Sequence, residues 1–421
     1  MSLCASRRRP TAPTLWRKHS TSPRRCPRRR PRGCARRVSV VGEPPPSAAL
    51  VAPPYGRGTL ADVLPSAVAA LGVPGFSDGL DLAETTAGAR HIIVCLVDGL
   101  GARQLADHAE LAPTLAAAQN RSLSACFPST TPVGLGSLGT GLAPGMHGMV
   151  GASFWLPEID RILHPLGWSD EPHPVAVQPA TTVLEAASAY GVDVASVGPR
   201  AFAQSGLTRA VLRGGGYRGA DSVGERLVEA SRPASGPALT YVYWGDLDKT
   251  GHIHGVDSDA WREELRHVDA LVARMRQMLH SNAALVVTAD HGMVDCPDSA
   301  RIDIDALRPL SEGVRRLAGE PRMRHVYARR GAASEVAATW AETLGERAWV
   351  LSREAMVDMG LVGDVEPDYA DRLGDVLVVA RDRFALCSDQ VDAVVSSLRG
   401  QHGSLSPEEM DIPLLVLSGR E

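Results

Sequence analysis

The segment HIIVCLV, residues 91–97, is followed directly by Asp98 and indicates how this chain folds. A run of this length with few polar positions is typical of a β-strand that is buried on both faces of a sheet. Five further segments have the same character: VDVASVG (192–198), ALTYVYW (238–244), ALVVTAD (284–290), DVLVVA (375–380) and IPLLVLS (412–418). The chain is therefore expected to build a sheet of buried strands.

Helical patterns separate these predicted strands. The clearest covers residues 259–280, where apolar residues recur every three or four positions. Alternating strands and helices predict an α/β fold with a mostly parallel central sheet flanked by helices. The segment at about 300–385 interrupts the alternation, and we predict that it forms a small inserted α+β cap with a helix at 333–344 and another after Ser352.

The N-terminal region differs from the rest in composition. Residues 1–37 contain 13 Arg or Lys, no acidic residue and few aliphatic ones, so they cannot bury enough apolar surface to fold alone. Residues 38–58 are Pro-rich and typical of a linker. We expect residues 1–58 to form a disordered basic tail and linker, and residues 59–421 to form the folded body. Beyond residue 37 the chain has 31 of the 44 basic residues against all 48 acidic ones, a net charge of −17. That charge argues against nucleic-acid binding by the body.

Cysteine spacing and hydropathy indicate in which cellular compartment the protein is expected. The seven cysteines include no C-x-x-C pair, which argues against a disulfide framework and against a thiolate zinc site. No run of 18 apolar residues is present, so no membrane-spanning helix is expected. The basic tail also lacks the apolar segment of a secretory signal. These features predict a cytoplasmic protein without a membrane anchor, and they indicate no protein partner.

Acidic residues and histidines follow several predicted strands, where the functional groups of parallel sheets gather. One aspartate there is commonly a turn former, and a lone histidine is commonly structural, but repeated clusters are not explained in this way. Three carboxylates and three imidazoles match the ligands that two divalent, zinc-like ions would need, at three protein ligands each. Such a pair stabilises the attacking and the leaving oxygens of a displacement at phosphorus. The residues are Asp98, Asp248, His252, Asp290, His291 and His402.

The stretch CFPSTTPVGLGSLGTG, residues 126–141, offers a nucleophile for this chemistry. Pro132 suits the first position of a helix, and Thr131 before it suits the N-cap. The partial positive charge at a helix N-terminus favours a phosphate and an alkoxide. A threonine hydroxyl needs activation, which a metal held by Asp98, Asp290 and His291 would provide.

Five motifs in order carry a family resemblance: LVDGLG, FPSTTPVGLGSLGTGLAPGMHG, DLDKTGHIHG, VTADHGM and GQHGS. Across residues 90–418 the chain resembles the type I phosphodiesterase/nucleotide pyrophosphatase family of the alkaline phosphatase superfamily. The resemblance implies an alkaline phosphatase-like fold with two divalent metal ions, which we expect to be zinc, with manganese as the alternative.

The resemblance also implies roles for single residues. Thr131 would attack phosphorus, a covalent phospho-threonine would form, and water would hydrolyse it. The implied ligands of the two metals are Asp98, Asp290, His291 and Thr131 for the first, and Asp248, His252 and His402 for the second. Lys249 and His254 flank these ligands and are candidate substrate contacts, the alternative being solvated side chains.

The distance to the Thr140-Gly141 pair distinguishes Thr131 from Cys126, the nucleophile that a sulfatase-like site would use. Related sulfatases carry their modified Cys or Ser in C-x-P-S-R, nine positions before a Thr-Gly pair. Here Cys126 lies 14 residues before Thr140, Thr130 stands in place of the arginine, and Thr131 lies nine residues before Thr140. The nucleophile is therefore predicted to be Thr131.

Two departures from the family pattern leave nucleotide preference open. Pro132 stands where many members have an aromatic residue, and Ala152 stands where they have an asparagine. The sequence predicts a two-metal phosphohydrolase that cleaves phosphodiester or pyrophosphate bonds of a small phosphate ester. The alternatives are a phosphomonoesterase or phosphonate-type hydrolase with the same metal cage, and a catalytically idle, metal-stabilised binding protein.

Overall fold

A computed structural model of the chain describes residues 50–418, except for the side chains of Gln119 and Asn120. Most of the predicted tail and linker, residues 1–49, lies outside the described residues. Residues 50–58 contain no helix or strand. Tyr55 nevertheless packs on the body: its hydroxyl donates to the Leu361 carbonyl at 2.9 Å and accepts from the Phe127 N–H at 3.2 Å.

Seventeen strands lie within residues 50–418. They are β1 (His91–Val97), β2 (Gln119–Ser124), β3 (Phe154–Leu156), β4 (Arg161–Leu163), β5 (Asp193–Gly198), β6 (Gly216–Gly219), β7 (Ala238–Trp244), β8 (Ala283–Thr288), β9 (Val294–Asp295), β10 (Arg301–Asp303), β11 (Val314–Glu320), β12 (Met323–Ala328), β13 (Ala348–Ser352), β14 (Val376–Ala380), β15 (Ala385–Cys387), β16 (Gly400–Gln401) and β17 (Asp411–Ser418).

Sixteen α-helices accompany these strands in the same range. They are α1 (Val63–Ala70), α2 (Leu82–Thr85), α3 (Ala102–Asp107), α4 (Pro113–Ala116), α5 (Thr131–Thr140), α6 (Pro144–His147), α7 (Pro174–Val177), α8 (Val183–Tyr190), α9 (Gly206–Val211), α10 (Val223–Ala230), α11 (Asp246–His254), α12 (Asp259–Met278), α13 (Ala333–Leu344), α14 (Arg353–Asp358), α15 (Asp389–Ser397) and α16 (Pro407–Met410). Short 3₁₀ turns occur at Leu60–Asp62, Pro157–Ile159, Pro165–Gly167, Arg200–Phe202, Asp298–Ala300, Arg308–Ser311, Gly345–Arg347 and Pro367–Arg372. None of the described helices is both long and apolar enough to span a membrane.

The central sheet has seven strands in the order β2-β17-β8-β1-β7-β5-β6. Strand β1 is buried along its whole length and pairs in parallel with both β7 and β8. Only β17 runs against the others, because it pairs antiparallel with both β8 and β2. The prediction of a mostly parallel sheet flanked by helices is confirmed.

A second, antiparallel sheet lies in the segment predicted as the inserted α+β cap. Its order is β11-β12-β14-β13, and Trp340 and Leu344 of α13 are buried in a separate apolar cluster with Val376 and Val378 of β14. The apolar segment DVLVVA therefore belongs to this sheet and not to the central one. An apolar strand pattern reports burial on both faces, and it does not tell which sheet provides the neighbours.

The register of the central strands brings the residues that follow them to the same edge of the sheet. Leu96 lies opposite Thr288 of β8 on one side, and Val97 lies opposite Trp244 of β7 on the other. The three strands therefore end at nearly the same level. Residues that follow them directly must lie close together at one edge of the sheet.

Candidate metal and phosphate site

Asp98, Asp248 and Asp290 meet at the carboxyl ends of β1, β7 and β8. The backbones approach one another so closely that Gly99 has no room for a side chain: an added Cβ would lie 3.0 Å from both Cα and Cβ of Asp248. Gly99 also has a φ of +75°, which favours glycine. Its N–H donates to Asp290 Oδ1 at 3.4 Å. The turn after β1 thus joins the three carboxylates into one site.

The first cluster consists of Asp98, Asp290 and His291, all of them buried. His291 Nε2 lies 3.4 Å from Asp98 Oδ1 and 3.5 Å from Asp290 Oδ2. The Thr131 hydroxyl oxygen lies 3.5 Å from Asp98 Oδ2 and 3.3 Å from His291 Nε2. The Thr131 hydroxyl and the three potential ligand side chains of the first cluster therefore face one another across a short distance.

The second cluster consists of Asp248, His252 and His402. Asp248 and His252 are one turn apart on α11, and His252 Nε2 lies 3.4 Å from Asp248 Oδ2. His402 Nε2 lies 3.1 Å from His252 Nε2 and 3.8 Å from Asp248 Oδ1. The short pairing of β16 with β9 fixes the chain just before His402. The rings of His402 and His291 stack with centroids 3.6 Å apart, so the two clusters are adjacent.

Hydrogen bonds determine which nitrogen each histidine offers. His252 Nδ1 lies 2.7 Å from the Gly400 carbonyl, His402 Nδ1 lies 2.8 Å from that of Ser129, and His291 Nδ1 lies 3.1 Å from that of Gly292. A carbonyl can only accept, so Nδ1 carries the proton in each ring. The Nε2 lone pairs are then free to bind a cation, which is the usual arrangement around metal-binding histidines.

The site also contains buried charge without a partner. Within the described residues, Asp98 Oδ1, Asp248 Oδ1 and Asp290 Oδ2 are buried and accept no hydrogen bond. Burial raises the pKa of Asp98 and of Asp248 well above the usual range, and it raises the pKa of Asp290 to about 6. An unpaired buried carboxylate is unfavourable by several kcal/mol.

Divalent cations would supply the missing charge at both clusters. The potential ligand atoms in each cluster lie within 4.8 Å of one another. Burial lowers the pKa of His291 to about 4, which keeps the ring neutral, as metal binding requires. Carboxylate oxygen and imidazole nitrogen are the donor set that zinc-like ions take. The residues present therefore fit a pair of divalent cations.

The position of Thr131 in its helix differs by one residue from the predicted N-cap. Thr130 is the N-cap, with extended backbone angles (φ −139°, ψ 147°), and Thr131 is the first helical residue. The Thr130 carbonyl accepts from the N–H groups of Val133 and Gly134 at 3.0 and 2.9 Å, which places the start of the helix there. The Thr131 hydroxyl still lies at the N-terminal end of a ten-residue helix.

The other hydroxyl and thiol groups of residues 126–131 have different surroundings. Burial raises the pKa of the Cys126 thiol to about 12, which makes it a poor nucleophile at neutral pH. The Ser129 hydroxyl donates to the Ser404 carbonyl at 2.7 Å. Of the described groups in this stretch, the Thr131 hydroxyl is the one that contacts the first cluster.

Lys249 and His254 lie on α11 beside the second cluster, and both are exposed. They stand one and six positions after Asp248 on the helix, so they project from different faces than Asp248 and His252 do. The structure brings the six acidic and histidine residues together with Thr131, but it does not bring these two side chains to the clusters.

Two tyrosines of β7 are part of the site, although the sequence analysis did not single them out. The Tyr243 hydroxyl donates to Asp98 Oδ2 at 2.5 Å. Tyr241 and Tyr243 also line a pocket beside Thr131. In the segment ALTYVYW both tyrosines have the pattern of ordinary buried residues of a strand. The signal that could have found them is their i, i+2 spacing, which puts them on one face just before Asp248.

Comparisons with known proteins agree with this fold. The structure superposes on that of murine ectonucleotide pyrophosphatase/phosphodiesterase 5 with a TM-score of 0.63 and 20% sequence identity, covering 77% of this chain and 87% of that one. It also superposes on phosphonoacetate hydrolase from Sinorhizobium meliloti 1021 with a TM-score of 0.60 and 20% identity, covering 79% and 91% of the two chains. The molecule therefore has the fold of these phosphodiesterase- and hydrolase-type proteins.

The family follows from the sequence itself. The type I phosphodiesterase / nucleotide pyrophosphatase family matches residues 92–405, and the chain belongs to that family. Human ectonucleotide pyrophosphatase/phosphodiesterase family member 7 is 38% identical over 60 residues, or 13% of each protein. Mouse bis(5'-adenosyl)-triphosphatase enpp4 is 31% identical over 100 residues, which cover 21% of this chain and 22% of that protein. These alignments span 13% and 22% of the relatives' lengths.

Proposed function

We propose that this protein is a metal-dependent phosphohydrolase that cleaves phosphodiester or pyrophosphate bonds with Thr131 as its nucleophile. One observation carries the proposal: the Thr131 hydroxyl lies at the N-terminus of α5, within 3.5 Å of both Asp98 and His291. A hydroxyl in that position is next to negative charge that a cation must balance, and next to a helix end that favours a phosphate.

The two clusters are the proposed sites of the cations. Asp98, Asp290 and His291, together with Thr131, would hold one, and Asp248, His252 and His402 would hold the other. We propose zinc in both, with manganese as the alternative. Bound there, two divalent cations would polarise the phosphoryl group and stabilise negative charge on the attacking and leaving oxygens.

The residues of the chain perform the remaining steps. Asp98 Oδ2 accepts from the Thr131 hydroxyl at 3.5 Å, and Tyr243 holds the same carboxylate oxygen from the other side at 2.5 Å. The Thr131 hydroxyl would pass its proton to Asp98 Oδ2 while its oxygen forms a bond to phosphorus. The bond from phosphorus to the oxygen of the leaving group breaks, and that oxygen takes up the proton and departs as an alcohol. Water then attacks phosphorus in the phospho-threonine, and the Thr131 oxygen departs and is protonated again.

Two structures of relatives support the choice of residue and substrate type. Murine ectonucleotide pyrophosphatase/phosphodiesterase 5 has been crystallised as an inactive threonine-to-alanine variant in complex with AMP. The Sinorhizobium hydrolase has been crystallised with phosphonoacetate. Both ligands contain a phosphoryl group, which agrees with a phosphate ester as substrate here. A phosphonate substrate is the second candidate, because the same fold holds phosphonoacetate in that relative.

A comparison of diester and monoester hydrolysis tests the proposal. Metal-saturated protein is assayed with bis(4-nitrophenyl) phosphate and with 4-nitrophenyl phosphate, and kcat/KM is compared. We expect faster hydrolysis of the diester, a loss of at least about a thousandfold in Thr131→Ala, and partial activity in Thr131→Ser. A monoester preference would make the protein a phosphatase. No activity on either ester, with both cations bound, would favour the idle binding protein.

The proposed location is the cytoplasm. The four cysteines within the described residues, Cys95, Cys126, Cys296 and Cys387, are all free thiols. Free thiols are typical of a reducing compartment. Cell fractionation followed by immunoblotting checks the location, and recovery of the protein outside the cytoplasm would contradict it.

A further inference from the structure

Glu320 brings a buried carboxylate from the second sheet to the second metal cluster. It is the last residue of β11, it is 4% exposed, and its Oε2 lies 3.9 Å from Nδ1 of His402. Gly403 leaves room for it, because a Cβ added there would lie 2.6 Å from Cδ of Glu320, and the φ of Gly403 is +128°. The Glu320 side chain is therefore packed directly against the chain at His402.

This carboxylate forms no ion pair with an arginine or a lysine of the described residues. Its Oε1 is buried and, in the same part of the chain, accepts no hydrogen bond. Arg322 and Arg324 on β12 are both 0% exposed, but their charges are already balanced. Arg322 Nη2 lies 2.8 Å from Glu409 Oε2, and Arg324 Nη1 lies 2.6 Å from Asp392 Oδ2. A buried carboxylate without a partner is unfavourable, so Glu320 calls for positive charge from outside the chain.

The two metal clusters differ in the negative charge that they offer. The first has the carboxylates of Asp98 and Asp290, which match the two positive charges of a divalent cation. The second has Asp248 as its only carboxylate, together with two histidines. Charges interact strongly at a buried site, where little water screens them. Glu320 supplies the second negative charge that the second cluster lacks.

Glu320 also adjoins the turn that leads into the proposed nucleophile. His402 Nδ1 donates to the Ser129 carbonyl at 2.8 Å. Thr130 is the N-cap of α5, but its side chain makes no capping hydrogen bond. Its hydroxyl lies beside the Glu320 carboxylate instead. The carboxylate is thus next to a metal-binding ring on one side and to the residue before Thr131 on the other.

We propose that Glu320 is a positioning residue of the second metal site, where its carboxylate balances the charge of the cation and keeps the His402 ring in place. This inference rests on the proposed function, because it needs a divalent cation held by Asp248, His252 and His402. Carboxylates behind metal-binding histidines commonly strengthen metal binding in this way. The role gives the second sheet, and not only the central one, a part in the active site.

The zinc affinity of the metal-free protein tests this role. Wild type, Glu320→Gln and Asp375→Asn are stripped of metal and titrated with Zn²⁺ against a chromophoric chelator at neutral pH. Glu320→Gln should weaken one of the two zinc sites by about 10- to 100-fold and leave the other within about threefold of wild type. Asp375→Asn is the matched control, since this carboxylate of the second sheet pairs with Arg353 and accepts from the Ala328 N–H. It should leave both affinities unchanged.

A double variant identifies the site that is weakened. His402→Ala should keep only the cation of the first cluster, so adding Glu320→Gln should change the remaining zinc affinity by less than about twofold. Glu320→Asp keeps the charge on a shorter side chain, and its zinc affinity should lie between those of wild type and Glu320→Gln. It also provides the comparison with wild type if Glu320→Gln does not fold.

Urea unfolding distinguishes a positioning role from a structural one. Glu320→Gln removes an unfavourable buried charge, so the metal-free variant should be at least as stable as the metal-free wild type. Saturating zinc should stabilise the variant less than the wild type, because the stabilisation by a ligand follows its affinity. A less stable metal-free variant with unchanged zinc affinities would show that the carboxylate is only structural.

The outcomes separate this inference from the proposed function. Two zinc ions bound with equal affinities in wild type and Glu320→Gln would overturn the role of Glu320 and leave the proposed phosphohydrolase standing. An equal weakening by Glu320→Gln in the His402→Ala background would also overturn it, because the effect would not pass through His402. A wild-type protein that binds neither zinc nor manganese would instead refute the proposed metal sites, and this inference with them.

Discussion

Replacing Gly134 by alanine should separate catalytic geometry from folding stability. Gly134 lies on α5, one turn after Thr131. A Cβ added there would lie 2.8 Å from Cβ of Asp290 and 3.3 Å from Cδ2 of Leu60. Carbon atoms pack at about 3.5–4.0 Å, so α5 must move away from Asp290 by roughly 0.7–1.2 Å. The obstructing atom is next to the backbone of Asp290, so a rotation of the side chain cannot relieve the contact.

The expected effects on rate and stability differ in size. Thr131 moves with α5, so its hydroxyl shifts relative to His291, from which it is now 3.3 Å away. A displacement of about 1 Å at a reacting group lowers the rate by about a hundredfold. Overpacking costs about 1–3 kcal/mol of folding stability, and alanine regains up to about 1 kcal/mol of helix propensity. The net loss of stability should therefore be no more than about 3 kcal/mol.

The assay compares Gly134→Ala with Gly224→Ala on α10, where an added Cβ meets nothing within 4 Å. kcat/KM is measured with bis(4-nitrophenyl) phosphate, and stability is measured by urea unfolding. Gly224→Ala should keep wild-type activity and equal or slightly exceed wild-type stability. Wild-type kcat/KM in a folded Gly134→Ala protein with both cations bound would refute the reasoning.

Three further predictions concern the second metal cluster, a buried histidine and the excluded thiol. His402→Ala should reduce the metal content from two ions to one per chain, measured by elemental analysis, and an equal loss of both ions would show that the ligands are divided wrongly. His325 is buried and neutral, with Nδ1 accepting from the Gly374 N–H at 3.1 Å, Nε2 donating to the Val150 carbonyl at 3.0 Å, and burial lowering its pKa from 6.5 to about 4. Below pH 6.5 the unfolded chain binds a proton that the folded chain does not, so the free energy of unfolding should fall between pH 6.5 and about 4, by up to about 1.4 kcal/mol per pH unit. Urea unfolding of the metal-free protein should show a smaller loss in His325→Gln than in the wild type, and identical pH dependences would contradict this. Cys126→Ser should keep kcat/KM within about threefold of the wild type, and a loss of tenfold or more would reopen the thiol as the nucleophile.

Local sequence was enough to predict the strands and the site residues at their ends. All residues of HIIVCLV after His91 are apolar because β1 has parallel neighbours on both edges and helices over both faces, and a similar pattern identified β7 and β8. Asp98 could be found because it directly follows β1, and Asp290 and Asp248 because they lie two and four residues after the ends of β8 and β7. His402 could be found through its motif and not through a strand pattern, since β16, which precedes it, has only two residues.

Other features depend on contacts that no local pattern encodes. The antiparallel direction of β17 is set by its pairing with β8 and β2, and the position of β14 in the second sheet is set by its pairing with β12 and β13. The roles of Tyr241 and Tyr243 depend on what lies beside β7. A one-residue error in the N-cap of α5 arose because Thr130 and Thr131 suit that position equally well, and only the backbone angles distinguish them.

The most direct test of the account is to trap the covalent intermediate. Metal-saturated protein is mixed with bis(4-nitrophenyl) phosphate, quenched in acid within one turnover, digested and analysed by mass spectrometry. The account predicts that the peptide containing Thr131 carries the 4-nitrophenyl phosphoryl group, and that this adduct is absent from Thr131→Ala. An adduct on Cys126, Ser129 or Thr130, or full turnover without any adduct on the protein, would contradict it.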